Sequence, residues 1–482
     1  MRSRNVIALC SALLLGCGEV HETIPDAGPD PVADAGADAA VDTVDAPPIE
    51  TCTPDQFVDC DGTSARICNA TGDGVIATEC GAAGCNATAG RCNACVPDSA
   101  TCAGNTVQHC TADGALGATE SCTLGCGTTP SAHCKYIEPR YDALQDSCDA
   151  LATLPSLVID TNQSFDTAAD ILCTGGVRTQ TSGPEICVVR YGAITISGGR
   201  TLKVTGPRAI ALVADRAVTI DGVLDVSADG TTNGPGGGLI ASGGKANTSV
   251  GGGGAGFRTA GGNGGSDTAD GGGAPGGAPS TNPADLVSLV GGPRPQIPTT
   301  IDADPGGGGG ALTVIACRGA VTVSATGVID AGGGGGRPGF DQIFGGGVQF
   351  TSGAGGGAGG NIVLQGAAIS VLGQIFANGG GGGGGTAISD TPGQPGDDGL
   401  RLATTSASGG AGAGVGGAGG AGGRQGVAPT PGLMPGSTGA TPGGGGGSVG
   451  FAQTYTPSGV APVLQPSAAS PAFNGNRTIN TR

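Results

Sequence analysis

Apolar and polar positions alternate with period two in a short phrase that recurs four times along this chain. The copies are Ala193-Ile194-Thr195-Ile196, Ala217-Val218-Thr219-Ile220, Ala320-Val321-Thr322-Val323 and Ala368-Ile369-Ser370-Val371. Such alternation puts β-branched residues on one face of a strand and hydroxyls on the other. An apolar run precedes the later copies, as in Ala211-Leu212-Val213-Ala214, Thr313-Val314-Ile315-Ala316 and Ile362-Val363-Leu364. A turn and a third β-rich piece follow, as in Gly222-Val223-Leu224-Asp225-Val226, Gly327-Val328-Ile329-Asp330 and Gly373-Gln374-Ile375-Phe376. Three short strands per repeated unit predict a small parallel β-solenoid of β-helix type, in an all-β chain. An antiparallel sandwich of the same strands is the alternative, but it needs tight hairpin turns that are scarce here.

The first two copies stand 24 residues apart, one coil of three strands and three corners. The later spacings of 103 and 48 residues fit only once the glycine tracts are set aside. Those tracts, 230–310, 332–360 and 379–447, all begin after the third strand of a unit, which predicts that they emerge along a common edge. They contain few large apolar side chains, so the entropy of ordering them is hard to repay. Mobile hydrated loops are the plain expectation. A bed of packed polyproline-II strands, suggested by Gly416-Gly417-Ala418-Gly419-Gly420-Ala421, is the sharper one.

Cysteine patterning adds small modules ahead of the β-repeats. Cys52, Cys60, Cys68, Cys80, Cys85 and Cys92 are echoed by Cys95, Cys102, Cys110, Cys122, Cys126 and Cys134, offset by 41 to 43 residues. Modules this small need disulfides, and six cysteines allow fifteen pairings among which sequence does not choose. Zinc is the rival, since Cys92-x-x-Cys95 has metal-like spacing, but that pair straddles the two repeats. Cys148, Cys173, Cys187 and Cys317 complete an even set, with Cys173 and Cys187 the preferred pair. Tyr141, Leu144, Cys148, Leu151 and Leu154 recur at helical spacing and predict a short amphipathic helix capping the open end of the solenoid.

The chain opens with Arg2, Arg4 and an apolar run from Val6 to Leu15, the pattern of a signal peptide. Its end, Leu14-Leu15-Gly16-Cys17, resembles the bacterial lipobox, which implies that Cys17 is lipidated and becomes the first mature residue. In that lipoprotein family Gly18 at the second mature position points to the outer membrane. Cleavage as an ordinary secreted protein is the alternative. The formal charge of −18 becomes −20 when Arg2 and Arg4 are removed. So acidic a chain excludes nucleic acid as a partner, and a lipid rather than charge must hold it to a membrane. Between Glu19 and Glu50 nine carboxylates occur without a Lys or Arg. With prolines interspersed, that segment reads as an extended tether reaching on the order of 100 Å.

The resulting organisation is a lipoprotein signal peptide (1–16), an acidic Asp/Ala/Pro tether (17–51) and two Cys-rich repeats (52–94 and 95–136). A capping segment (137–185), the β-solenoid with its inserts (186–460) and a disordered tail (461–482) follow. Together with Pro184-Glu185-Ile186-Cys187-Val188-Val189-Arg190, this order resembles a group of uncharacterised outer-membrane lipoproteins of the myxobacterial type. The resemblance covers most of the mature chain and carries no activity with it. By composition alone, the tracts also resemble mycobacterial Gly-rich surface proteins.

Chemistry-bearing motifs are sparse. Matches to Gly-x-Gly-x-x-Gly follow from the abundance of glycine, none opening a helix after a strand. Gly244-Lys245 lacks the remaining Walker residues, and Gly261-Gly262-Asn263-Gly264-Gly265-Ser266-Asp267 misplaces its Asp for a calcium nonapeptide. No cofactor and no metal is expected. Only His21, His109 and His133 are available as neutral-pH bases, all outside the β-repeats, and no catalysis is evident. The expected role is a lipid-anchored envelope protein, structural or adhesive, presenting glycine-loop backbone groups to a matrix, cell-surface protein or polysaccharide. The alternative is a β-helix polysaccharide lyase or hydrolase. Its catalytic residues would be Asp225 and Asp330, at equivalent coil positions, with Arg216 and Arg318, and Asp215 and Asp221 as further candidates.

Overall fold

The computed structural model describes residues 51–149, 154–239, 242–267, 272–280, 288–297, 304–344, 347–387, 391–465 and 469–482. The signal peptide, Cys17 and all but the last residue of the tether lie outside the described residues, as do Leu151 and His21. The chain divides into two units, one of residues up to 56 with 68–76, the other of 57–67 with 77–482. In the first, the Cys52–Cys68 disulfide closes the segment, and Asn69 Oδ1 accepts the Gly72 N–H at 2.8 Å in a turn. Apart from that Cys52–Cys68 bond, everything below concerns the second unit.

The fold is nearly all β, and its main ladders are parallel. The four phrases found in the sequence lie one above another: Ile194 pairs with Val218, Val218 with Val321, and Val321 with Ile369. Three columns of strands repeat this way. The first runs through Ile186–Tyr191, Ala209–Ala214, Ala311–Val323, Asn361–Val371, Phe451–Thr456 and Asn476–Thr478. The second holds Ser156–Ile159, Ala193–Ile196 and Val218–Ile220, then the C-terminal halves of Ala311–Val323 and Asn361–Val371, then Val463–Leu464. The third holds Gln163–Asp166, Thr201–Thr205, Val223–Asp225, Val328–Asp330, Gln374–Phe376 and Ala469–Ser470. No antiparallel sandwich forms from these strands.

Period-two alternation explains the interior. Ile194, Ile196, Val218, Ile220, Val321 and Val323 point inward and are sealed, while Thr195, Thr219 and Thr322 stay partly exposed. Burying each such aliphatic side chain contributes about 1.5–3 kcal/mol. First-column strands other than the last, Asn476–Thr478, are largely buried on both sides. In Ala209–Ala214 the even positions join the interior, while Ala209, Ala211 and Val213 pack with Tyr141, Leu144 and Cys148.

Three expectations change here. The segment meant to cap the stack forms a 3-10 helix, Asp142–Cys148, rather than an α-helix. It covers the outer side of the first column, not the open end, and is fastened by the Cys148–Cys317 disulfide. Residues 156–166, assigned to the capping segment, are a rung of the stack itself. The tail was expected to be disordered, yet Val463–Leu464, Ala469–Ser470 and Asn476–Thr478 pair with the rungs. The strands of 156–166 and of the tail carry little sequence signal because they are short and lack the repeated phrase.

The cysteine modules share one connectivity. In each, first pairs with third, second with fifth and fourth with sixth: Cys52–Cys68, Cys60–Cys85 and Cys80–Cys92, then Cys95–Cys110, Cys102–Cys126 and Cys122–Cys134. Cys92 and Cys95 thus belong to different disulfides. Cys173 is bonded to Cys187.

Among the described residues, the glycine-rich stretches nearest the stack are not open loops. Segments such as 306–310, 353–360, 379–385 and 443–450 run extended, buried and hydrogen-bonded to other tract segments. The N–H groups of Gly379, Gly382 and Gly385 donate to Gly423, Gly420 and Gly417. Gly380 and Gly383 donate to Gly357 and Ala354, and Gly381 and Gly384 to Asp397 and Gln394. The carbonyls accept with the same period: Gly380 and Gly383 from Gly447 and Gly444, Gly381 and Gly384 from Gly336 and Gly339, Gly382 and Gly385 from Gly410 and Ala413. Every third residue meets the same neighbour, so one tract is surrounded by six. That is the threefold repeat of polyproline II, which makes no internal hydrogen bonds and has its backbone groups free to bond outward.

Side chains would prevent this packing. A Cβ added to any of the seven residues Gly379 to Gly385 would come within 1.9–2.2 Å of a neighbouring carbonyl oxygen. None of the seven has a positive φ, so glycine is needed for close approach and not for an unusual backbone angle. Satisfied backbone groups and close backbone contact repay the ordering entropy that composition suggested could not be repaid.

Candidate functional site

The sequence grouped Asp225, Asp330, Arg216 and Arg318 in one candidate centre, and the structure separates the two acids from the two arginines. Asp225 and Asp330 end adjacent third-column strands and lie opposite each other in the parallel ladder. Both are buried. Lys203, one rung earlier, pairs with Asp225 in register, and its Nζ reaches Asp225 Oδ1 at 2.9 Å and the Ser227 carbonyl at 3.0 Å. From the third glycine tract comes Arg401, whose Nη2 meets Asp225 Oδ2 and whose Nε meets Asp330 Oδ2, both at 2.7 Å. Backbone N–H groups of Ser227 and Gly332 take the remaining Oδ1 positions at 2.9 Å each.

Burial acts on both acids, with different net results. At Asp330 it dominates and raises the carboxyl above its ordinary value, despite the Arg401 hydrogen bond. At Asp225 the burial effect is outweighed by hydrogen bonds from Ser227 and by the Lys203 charge, and the carboxyl sits below its ordinary value. These acids are engaged in an ionic clamp that fixes an insert to the stack.

Arg216 and Arg318 lie at the corner between the first and second columns. They border a cavity of about 320 Å³ together with Asp215, Glu120, His109 and His133. Asp215 is held by Arg190 at 2.8 Å in a largely buried pair. Arg318 Nη1 reaches Glu120 Oε1 at 2.7 Å, and His109 Nε2 stands 3.9 Å from the other oxygen of Glu120. His133 Nδ1 donates to the Ser131 carbonyl at 2.7 Å. Arg216 is exposed.

Glu120, His109 and His133 all come from the second cysteine module, on Leu116–Ser121, Thr106–Cys110 and His133–Cys134. Their position along the chain suggested that histidine is absent from the body of the protein. The fold brings two of them to its wall, and no pattern in the sequence signals that docking. Asp221, also a candidate, does not line this cavity. The cavity offers a guanidinium, imidazoles and carboxylates to a polar ligand. Among the described residues, no three His, Cys, Asp or Glu side chains gather as metal ligands.

Glycine-tract backbone groups were expected to face a partner. From Gly380 to Gly385 the N–H and carbonyl groups are spent on other tracts, so this part of the lattice has none to offer. No family model, curated protein or solved structure matches the chain. Among the described residues, no helix is long and apolar enough to cross a membrane.

Proposed function

We propose that the chain is a structural or adhesive protein of the cell envelope, a small parallel β-solenoid held outward by a lipid anchor at Cys17 and an acidic tether. The observation that carries this reading is the investment in stiffness. Eight disulfides, an in-register parallel stack and a lattice of buried backbone make a body suited to persisting outside the cell. The disulfides support an extracellular or envelope location. The outer membrane is our choice on the strength of Gly16-Cys17-Gly18 and of the resemblance to myxobacterial-type lipoproteins.

Protease shaving of intact producing cells, followed by mass spectrometry, tests the placement. Release of peptides from 52–482, with Cys17→Ala shifting the protein from the membrane to the soluble fraction, is the expected result. Retention in membranes despite Cys17→Ala sinks the lipid anchor. Adhesion is tested by cell and matrix binding with and without this protein.

A polysaccharide lyase or hydrolase is the second reading. What favours it is the gathering of Arg216, Arg318, His109 and Glu120 around one cavity, not the clamped Asp225 and Asp330. Depolymerisation of an acidic polysaccharide, lost in Arg216→Ala, would establish it over the structural role.

A further inference from the structure

Two arginines without a carboxylate partner lie together on the glycine tracts. Arg258 comes from the first insert and Arg424 from the third, and both border a second cavity of about 310 Å³. That size falls at the lower end of small-molecule sites. Thr259, Gln425, Pro471 and Ala472 also line it, and no lining residue is acidic. Arg258 Nη1 donates to the Ala472 carbonyl at 2.7 Å. Arg424 Nη1 has only long contacts, 3.2 and 3.3 Å, to the carbonyls of Ala403 and Gln425. Its Nε is shut off from solvent with no acceptor.

This is contrary to composition. Asp and Glu outnumber Lys and Arg by 39 to 21, and Arg190, Lys203, Arg208, Arg318 and Arg401 all have carboxylate partners. Neither Arg258 nor Arg424 makes an ion pair among the described residues. Burial alone pulls the Arg258 guanidinium below its ordinary value, with no carboxylate acting against it. Partly desolvated cations without a counter-charge are costly, and a planar guanidinium fork matches an oxyanion with two parallel hydrogen bonds.

We propose that this cavity binds an oxyanion on a small ligand, a carboxylate, sulfate or phosphate, gripped by Arg258 and Arg424 beside the Thr259 hydroxyl. The site stands on its own geometry and does not depend on where the protein is displayed.

The test is calorimetric titration of the full, oxidised chain at low ionic strength with sodium glucuronate, sodium sulfate, sodium phosphate and glucose. Saturable binding of at least one anion is expected, with none of glucose. Glucuronate binding alone marks an acidic sugar as the source, and binding of sulfate or phosphate marks a free inorganic anion. Arg258→Gln and Arg424→Gln should each weaken binding about tenfold or more, whereas Lys245→Gln, on an exposed residue, should not. Arg258→Lys and Arg424→Lys serve if a glutamine variant fails to fold. They keep charge but not the fork, and should also weaken binding. Absence of binding by every anion, or affinity unchanged in all the folded variants at Arg258 and Arg424, overturns the proposal.

Discussion

Asp225 and Asp330 face each other across adjacent rungs, and one guanidinium, that of Arg401, bridges their Oδ2 atoms at 2.7 Å to each. Two acids so close would repel if left alone. The bridge turns that repulsion into a fastening between the stack and the third glycine tract. Arg401→Ala should therefore destabilise the protein. Breaking a buried pair costs about 3–5 kcal/mol. The Arg401 side chain is 43% exposed, so solvent screening brings the expected loss nearer 1–2 kcal/mol. Denaturant unfolding of the oxidised chain measures it, and an unchanged midpoint would remove the clamp from the account.

The same clamp sets a pH dependence through Asp225. Its carboxyl is held below the ordinary value of 3.8, so the folded state favours the ionised form. Its contribution is complete above the ordinary value and disappears as pH falls through the depressed folded value. Asp330 runs the other way: its raised value means that ionisation costs stability as pH rises through the interval above 3.8. Asp225→Asn should accordingly lower the melting temperature at pH 7, with the difference from the parent shrinking in strong acid. An equal difference at both pH values would contradict this assignment.

How much of this was legible in the sequence depended on whether a residue's role is local. The phrase ending at Ile196, Ile220, Val323 and Val371 carried its own register, because period-two alternation and stacking require the same positions to be aliphatic. The equivalence of Asp225 and Asp330 followed from that alignment. Arg401 did not, since its partners lie 71 and 176 residues away and no pattern links them. Of the two readings of the glycine tracts, mobile loops failed for a related reason, while the packed polyproline-II bed agrees with the hydrogen bonding. Composition counts what glycine lacks, whereas the stabilisation comes from backbone groups on seven different segments meeting with a threefold period. Phe257, a lone aromatic in a tract of small residues, likewise belongs to no pattern that signals its partner.

Phe257 makes a clear stability test. It is fully buried and meets Phe451 edge-on, ring centroids 4.7 Å apart, with Ala255, Val290 and Ala358 around the pair. It thus ties the first insert to a first-column strand. Phe257→Ala should cost about 3–5 kcal/mol, as large-to-small changes in a close-packed site do. Phe257→Leu, which fills most of the space, should cost less. Equal effects would mean that the ring is not packed against Phe451.

The lattice predicts a contrast between glycines. At Gly382 an added methyl would stand 2.1 Å from the Gly444 carbonyl oxygen, while at Gly272 it would meet nothing within 4 Å. Gly382→Ala must push two tracts apart and break hydrogen bonds on both sides, a loss of about 1–3 kcal/mol or more. Gly272→Ala should stay within roughly 0.5 kcal/mol of the parent. Hydrogen exchange distinguishes local from general damage. Amides of Gly379, Gly382 and Gly385 should lose protection in Gly382→Ala, with Ile194 and Ile220 retaining theirs.

The covalent tie with the longest reach is Cys148–Cys317, whose partners are 169 residues apart in sequence, against 14 for Cys173–Cys187. Loop-closure entropy grows with the logarithm of loop length, giving roughly 5 kcal/mol for the long loop and roughly 3 for the short one. The Cys148–Cys317 bond also presses Tyr141 and Leu144 onto the outer side of Val213 and its neighbours, so its loss should bare that apolar surface. The paired substitutions Cys148→Ala with Cys317→Ala should lower the melting temperature more than Cys173→Ala with Cys187→Ala. They should also make the segment from Ile137 to Cys148 the first target of limited proteolysis. Equal melting temperatures in the two double variants, with Ile137 to Cys148 still resistant, would show that packing alone holds the segment in place.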